Sequence, residues 1–454
     1  MLFALIILPI ATLCLYTAIV AICYMNLHHL RRIPGPNSWI VFPILREIST
    51  IRGTFDRDLR RFHAKYGPVV WFGGDEVSFI TADAWKDIYG HRHRQLPKAL
   101  SHAFSARGLR AQEPILNSYV DKLVERLKDV AESDLPADMV KWYNLTTFDI
   151  IGDLAFGEPF GGLGSSEYHH WVVTIFRAIK ANTYIRMRDA YLVLFRVIGA
   201  IMPTSGRLVY SSAYNRGGFM DSMRRNRGEK DGLTDLELAA NSNILIIAGS
   251  ETTSSLLSGA TYWILRSYGV LAKVTREVRS VIKTESDITF QKVSADLPYL
   301  LACFDEAFRL YPPVPTGLQR RTLDPVTISG YDIPPDVIFV HHTAAYTSST
   351  NFYAPDRFIP DRWLPETKKD PSSPFFSDNR DVLQSFHVGP WNCIGKNLTF
   401  AEMRIILAQV LWNFDLELCK ESVNWSDQKS YTVWGKVPLM CKLKMRGDGG
   451  EFDL

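Results

Sequence analysis

The chain has 454 residues, 46% of them hydrophobic and 22% charged, with a formal net charge of +3. That is ample for a large core, and length alone would suggest two or three domains. The near-neutral balance, with no basic run interleaved with aromatics, argues against a nucleic-acid partner. Six scattered cysteines (Cys14, Cys23, Cys303, Cys393, Cys419 and Cys441) lack the paired spacing of a disulfide framework or a zinc site.

Leu2 to Met25 is apolar or uncharged throughout. As a helix it would run roughly 36 Å, against a hydrocarbon core of about 30 Å. A cleaved signal peptide would be shorter and would open with Lys or Arg. Arg31 and Arg32 follow, so the positive-inside rule keeps the bulk of the chain in the cytosol. The expectation is a single transmembrane anchor over residues 2–25, then a basic, proline-rich hinge over 26–36. Pro34-Gly35-Pro36 cannot continue a helix and stiffens that hinge. One folded domain is expected over 37–446, with a tail at 447–454.

Val69 to Phe72 and Val77 to Ile80, separated by Gly73-Gly74, read as a small hairpin sheet. Helical patterns dominate afterwards: Ser101 to Glu132, Trp142 to Ala155, Glu167 to Arg186 and Asp189 to Ile201. Strand signals are confined to the neighbourhoods of 69–80, 314–340 and 430–445. Thr234 and Glu237 make a capping box ahead of the longest apolar helix, Leu236 to about Leu265. In its middle lies the polar cluster Ala248-Gly249-Ser250-Glu251-Thr252-Thr253. Gly and Thr are poor helix formers, so the cluster predicts either a local bulge that holds a ligand or water, or a kink with satisfied hydroxyls.

Glu306 and Arg309 are three apart and share a helix face within the apolar Leu300-to-Leu310 pattern. Burying two charges is costly unless they are paired. Near the end of the chain comes Phe386 to Gly395, FHVGPWNCIG, with an apolar helical pattern behind it. Gly389 permits a tight turn, and Gly395 lets the next helix start close to whatever Cys393 touches. A thiolate just before a helix N-terminus gains from N–H donors and the helix dipole. A flat cofactor stacked on Phe386, with its iron bound by Cys393, would use every one of these features.

This loop resembles the haem-binding signature of the cytochrome P-450 family of haem-thiolate monooxygenases. The resemblance extends in order through the hinge, the acid–Thr cluster, ExxR at Glu306 and Arg309, Tyr311-Pro312-Pro313-Val314-Pro315, and Phe358-Ile359-Pro360-Asp361-Arg362-Trp363. The stretches WYNLTTFDIIGDLAFGEPFGG (142–162) and NILIIAGSETTSS (243–255) are similar to fungal members of secondary metabolism. The fold implied is mostly α, a cytochrome P-450-type α-helical domain with small β-sheets, plus one N-terminal transmembrane helix.

The resemblance implies haem b with an axial Cys393 thiolate. Thr252 would order dioxygen and water, Glu251 would help deliver protons, and Arg320 would reach a haem propionate. Arg362 would join Glu306 and Arg309 in a structural network behind the Cys loop. The partners implied are an NADPH-dependent flavoprotein reductase, docking near Lys396, Arg107 and Arg110, an apolar terpenoid or polyketide substrate, and the endoplasmic reticulum membrane. One motif position departs: where the family has Arg for a propionate, this chain has Trp391, which donates one N–H but brings no charge.

A second departure is a shortage. Asp87 to Arg92 resembles the end of the family's B helix, and Ser101 to Ser105 already resembles the middle of its C helix. Only Arg92 to Leu100 remain where the family places several tens of residues that roof the substrate pocket. Pro97 falls about where a propionate Arg is expected, and Lys98 or Arg94 would replace it only partly. Pro203 to Gly218 also looks short. The expected activity is monooxygenation. A non-catalytic haem protein and a haem-thiolate isomerase or dehydratase are the alternatives.

Overall fold

The computed structural model describes residues 15, 17–90, 106–191 and 235–447. Its α-helices of eight or more residues are α1 (Ile44–Arg52), α2 (Phe55–Tyr66), α3 (Ala82–Tyr89), α4 (Ala106–Glu132), α5 (Met139–Phe156), α6 (His170–Ala190), α7 (Asp235–Arg266), α8 (Tyr268–Val281), α9 (Pro298–Leu310) and α10 (Lys396–Asn413). Among the described residues no helix is long and apolar enough to cross a membrane. Most of the expected anchor, residues 2–14 and 16, lies outside the described residues. Its described end is helical to Ile22 and closes in a π-helical turn, Cys23–Leu27.

The hinge docks onto the first sheet, because the Pro34 carbonyl accepts from the Trp71 N–H at 2.9 Å. That sheet holds β1 (Val69–Gly73), β2 (Glu76–Phe79), β7 (Ile338–His341) and β4 (Arg320–Arg321), in the order β1-β2-β7-β4. β1 and β2 form the expected antiparallel hairpin, with Val69 opposite Phe79. β2 and β7 run parallel, and β4 is antiparallel to β7 with Arg320 opposite Phe339. Two short hairpins, β5 (Val326–Ile328) with β6 (Tyr331–Ile333) and β9 (Ser430–Tyr431) with β10 (Val433–Trp434), also fall where strands are expected.

A further sheet departs from expectation. β3 (Ala137–Asp138) and β8 (Phe414–Leu418) flank β11 (Met440–Met445) on either side. β8 follows α10 directly, with no Gly or Pro between them, so its onset carries no turn signal. Helix limits differ too. α6 runs through Asp189 with no break at 186–189, and residues 192–201 lie outside the described residues.

Local capping explains where the central helices begin. Asp138 heads α5: its carboxylate accepts from the Val140 and Lys141 N–H groups, as an N-cap should, and from Leu439 N–H at 3.1 Å, which ties α5 to β11. α9 starts on Pro298 and is capped from outside by Glu277 of α8, which accepts from Tyr299 N–H and Leu300 N–H, each at 2.8 Å. Both α9 and α10 pack against α7, the long helix of the core. Leu256, Leu257, Ala260 and Ile264 of α7 are buried in the same apolar cluster as Phe304 and Phe308 of α9 and Met403 and Ile406 of α10. Each fully buried side chain of that size contributes about 1.5–3 kcal/mol, so α7 is anchored along much of its length.

Candidate active site

The Cys393 loop hangs between a 3-10 turn, Gly389–Trp391, and the N-terminus of α10. Cys393 N–H donates to the Phe386 carbonyl at 2.8 Å, closing the loop onto itself. Gly389 has φ +78, and a Cβ there would lie 2.2 Å from the Tyr89 carbonyl oxygen. Only glycine fits, because both the conformation and the space exclude a side chain. At Gly395 a Cβ would meet only the Cys393 sulfur, at 3.8 Å, so the polypeptide itself tolerates one. Trp391 is placed by its backbone only.

The Cys393 sulfur accepts from the Gly395 and Lys396 N–H groups, and the Lys396 ammonium adds its charge. Burial on the protein side outweighs these and holds the thiol above its ordinary pKa. On its other side the residue is exposed. Phe386, half-buried, meets the Phe308 ring edge-on, with centroids 5.2 Å apart. Lys396 lies 5.8 Å over the Phe386 ring. The side chains of Arg107 and Arg110 lie outside the described residues. Arg320 leans its guanidinium 5.0 Å over Tyr89, whose hydroxyl donates to the Leu318 carbonyl at 2.5 Å.

α7 carries the polar cluster with no break in its helix, so the expected bulge is absent. The reason is visible in the hydroxyls, which bond back along the helix without opening it. Ser250 donates to Ile246 O at 2.6 Å, Thr252 to Ala248 O at 2.6 Å and Thr253 to Gly249 O at 3.2 Å. Around Thr252 the helix is buried at Ser250, Glu251, Thr253, Ser254 and Ser255, yet Ile244 and Ala248 are exposed and Thr252 is half-buried. Those three are four apart and form one open stripe on the helix. Glu251 is adjacent in sequence but points elsewhere, into a buried ion pair with Lys436 (Oε1 to Nζ, 3.0 Å).

Behind the loop, Glu306 is saturated with donors. Arg309 Nη2 and Nε reach its two oxygens at 2.7 and 2.8 Å, Arg362 Nε at 3.2 Å, Ile359 N–H at 2.9 Å and Trp363 Nε1 at 2.8 Å. Arg362 also pairs with the buried Asp378. Arg309 donates to the carbonyls of Tyr346, Pro355 and Arg357. Arg380 donates to the Arg362 carbonyl from Nε and Nη2, at 2.9 and 2.7 Å, and extends the network to the Phe375 carbonyl at 2.8 Å. Sequence reasoning found Glu306, Arg309 and Arg362 but not Asp378.

It also missed Lys436 and Glu402. Glu402 lies nine residues after Cys393 and is fully buried in α10, with neither carboxylate oxygen hydrogen-bonded among the described residues. Burial pushes its pKa up to about 8; the Thr253 hydroxyl, which bonds back to Gly249 O and comes near the carboxylate without a well-formed hydrogen bond, opposes this only weakly. The signal in the sequence was a lone acid inside an apolar helical run.

A cytochrome P450 family profile matches residues 86–443. The chain belongs to the cytochrome P450 family. It is accordingly an enzyme of the P450 monooxygenase type, and that family implies a haem-thiolate cofactor. It is 53% identical to cytochrome P450 monooxygenase olcB of Penicillium canescens, over 97% of this chain and 99% of the relative. It is 49% identical to a trichothecene C-4 hydroxylase of Trichoderma arundinaceum, over 92% of this chain and 93% of the relative. It is 38% identical to an averantin hydroxylase of Dothistroma septosporum, over 96% and 91% respectively.

The olcB alignment runs over 485 positions, and 97% of 454 residues supplies only about 440 of them. About 45 positions of that P450 therefore have no counterpart here. The C-4 hydroxylase alignment leaves a similar deficit, 463 positions against about 418 residues.

Proposed function

We propose that this P450 inserts one atom of dioxygen into an apolar small molecule, of terpenoid or polyketide class, within a fungal secondary-metabolite pathway. The observation that carries this reading is Cys393: its sulfur receives two backbone N–H groups at the start of α10 and is open on its other side. These residues fit haem b. Cys393 would hold the iron, Phe386, Gly389, Trp391 and Gly395 would form the loop around it, and Arg320 would meet a propionate. Once bound, the haem supplies the chemistry that splits dioxygen, which a thiolate ligand favours.

The chain's own residues would do the rest. The open stripe of Ile244 and Ala248 would pack against an apolar substrate, and Thr252 on the same stripe would hold a proton or water at its hydroxyl. Glu251 would carry protons in from the buried side. Electrons would come from an NADPH-dependent flavoprotein reductase docked near Lys396, with Arg107 and Arg110 as further contacts. Residues 2–25 would anchor the chain in the endoplasmic reticulum membrane, leaving the domain in the cytosol. Incubation of the membrane-expressed chain and reductase with a pathway metabolite extract tests this. An oxygenated product that requires NADPH supports it, and consumption of a metabolite without NADPH contradicts it.

The shortfall of about 45 aligned positions favours a second reading for this chain as written. If the missing residues are those between Arg92 and Leu100, the substrate pocket lacks its roof. Water reaching the haem would then waste reducing equivalents, and turnover would be poorly coupled or absent. Trp391 in place of a cation points the same way. Sequencing the transcript across codons 92 to 101 distinguishes a skipped exon from genuine loss. Good coupling by the 454-residue chain would contradict the reading.

A further inference from the structure

Glu251 and Thr252 are neighbours in sequence, but successive residues of an α-helix point about 100° apart. Thr252 belongs to the open stripe with Ala248 and Ile244, and Glu251 belongs to the buried face with Ser254 and Ser255. What holds it there comes from a distant part of the chain. Lys436 follows the β9–β10 hairpin, and its side chain is 4% exposed. The ammonium has three protons, and three acceptors surround it, each at 3.0 Å: Glu251 Oε1, Asn144 Oδ1 of α5 and Ser254 Oγ of α7.

Asn144 is itself fixed, donating from Nδ2 to the Tyr168 hydroxyl at 3.0 Å, while Ser255 donates to Glu251 Oε1 at 3.3 Å. The second carboxylate oxygen of Glu251, Oε2, is buried with no partner among the described residues. So one oxygen of Glu251 is locked and the other is free to receive a proton or a water.

We propose that Lys436 is a positioning residue for the proton carrier: it holds Glu251 turned away from the open stripe, so that the hairpin bearing Lys436 governs when Glu251 can serve Thr252. This rests on the reading of Glu251 as the proton carrier. The hairpin is well placed for such control. Trp434 of β10 stacks on Tyr311 (4.6 Å, 13°) and donates to the Pro312 carbonyl at 2.8 Å, which links it to the segment after α9. Displacing the hairpin would draw Lys436 away and release Glu251.

Burial disfavours both charges of the pair, raising the Glu251 pKa and lowering that of Lys436, and their mutual contact opposes each shift. Among the described residues, the other titratable groups that act on the pair include Tyr168 and Tyr311, which burial keeps in the neutral phenol form, and Asp138, which favours the Lys436 charge.

Infrared titration of the full chain tests the pairing without requiring haem. The Glu251 carboxyl band is assigned by its loss in Glu251→Gln. In Lys436→Met its titration should move to higher pH by about 1–3 units, and Lys436→Arg should return it toward wild type. An unmoved titration overturns the proposal. Should Lys436→Met alone fail to fold, Glu251→Gln/Lys436→Met should recover folded protein, since it removes both charges. A double variant no better than the single one overturns the pairing.

The positioning role is tested by product formed per NADPH and by the solvent isotope effect. Both should change in Lys436→Met and should change no further when Lys436→Met is added to Glu251→Gln. Fully additive effects overturn the role. The haem reading fails separately, by absence of a thiolate spectrum, and that result leaves the infrared outcome intact.

Discussion

Two carboxylates in the core of this protein, Glu306 of α9 and Glu251 of α7, are equally hidden and differently equipped. Glu306 receives Arg309, Arg362, Trp363 and a backbone N–H, and both its oxygens are used. Glu251 has one cation and one distant hydroxyl on a single oxygen, and its other oxygen has no partner among the described residues. Saturated groups have nothing to gain by moving, and breaking them exposes a buried charge. Unsaturated groups keep a site for a proton. The first arrangement builds the frame behind the Cys393 loop, and the second suits a group that changes state during a reaction. Glu402, buried with no well-formed hydrogen bond to either oxygen among the described residues, is the extreme of the second kind.

Substitution should separate the two kinds by sign. Glu306→Gln removes the charge on which two buried guanidinium groups rely, so it should destabilise the fold by about 3–5 kcal/mol. Equilibrium urea unfolding, or collapse of folded yield, would show it. A loss below ~1 kcal/mol would break the comparison.

Glu402→Gln should act the other way. A carboxyl whose folded pKa of about 8 exceeds its ordinary 4.5 binds a proton that the unfolded chain has released. The protein is therefore not penalised below pH ~4.5, loses stability as pH rises toward 8, and bears the full cost above that. The Gln variant should be more stable by about 3 kcal/mol at pH 7, with the gain vanishing near pH 4.5. Thermal unfolding across that range checks the slope. A flat difference would show that Glu402 has a partner in solution.

Thr252→Ala should have the smallest effect on stability, ~1 kcal/mol or less, since the hydroxyl is half-buried and only back-bonds to Ala248. Its expected signature is functional: unchanged cofactor binding with reducing equivalents diverted to peroxide. Unchanged product per NADPH would remove Thr252 from the proton path.

How much of this was legible follows the same division. The frame is written in local spacing: Glu306 and Arg309 three apart, Arg362 after a proline turn, and glycines on both sides of Cys393. The Gly389 requirement follows from a close approach to Tyr89 that the turn itself suggests. The unsaturated groups are not local. Lys436 meets Glu251 only because β11 returns beside β3 at the head of α5, and no periodicity encodes that pairing. Asp378 is likewise one acid among many until Arg362 is folded against it. The polar cluster of α7 is half legible: its hydroxyls are satisfied, as one of the two expectations has it, but they bond back to carbonyls of their own helix and keep it whole, without the bulge of the other. β8 was hidden by its continuity with α10.

The carbon monoxide difference spectrum of the reduced chain, wild type against Cys393→Ala, tests the central claim most directly. The wild type should give the thiolate-type band and the variant should lose it entirely, because no other sulfur among the described residues sits at this loop. A thiolate band that survives in Cys393→Ala, or is missing from correctly folded wild type supplied with haem, would contradict the assignment of Cys393 as the iron ligand.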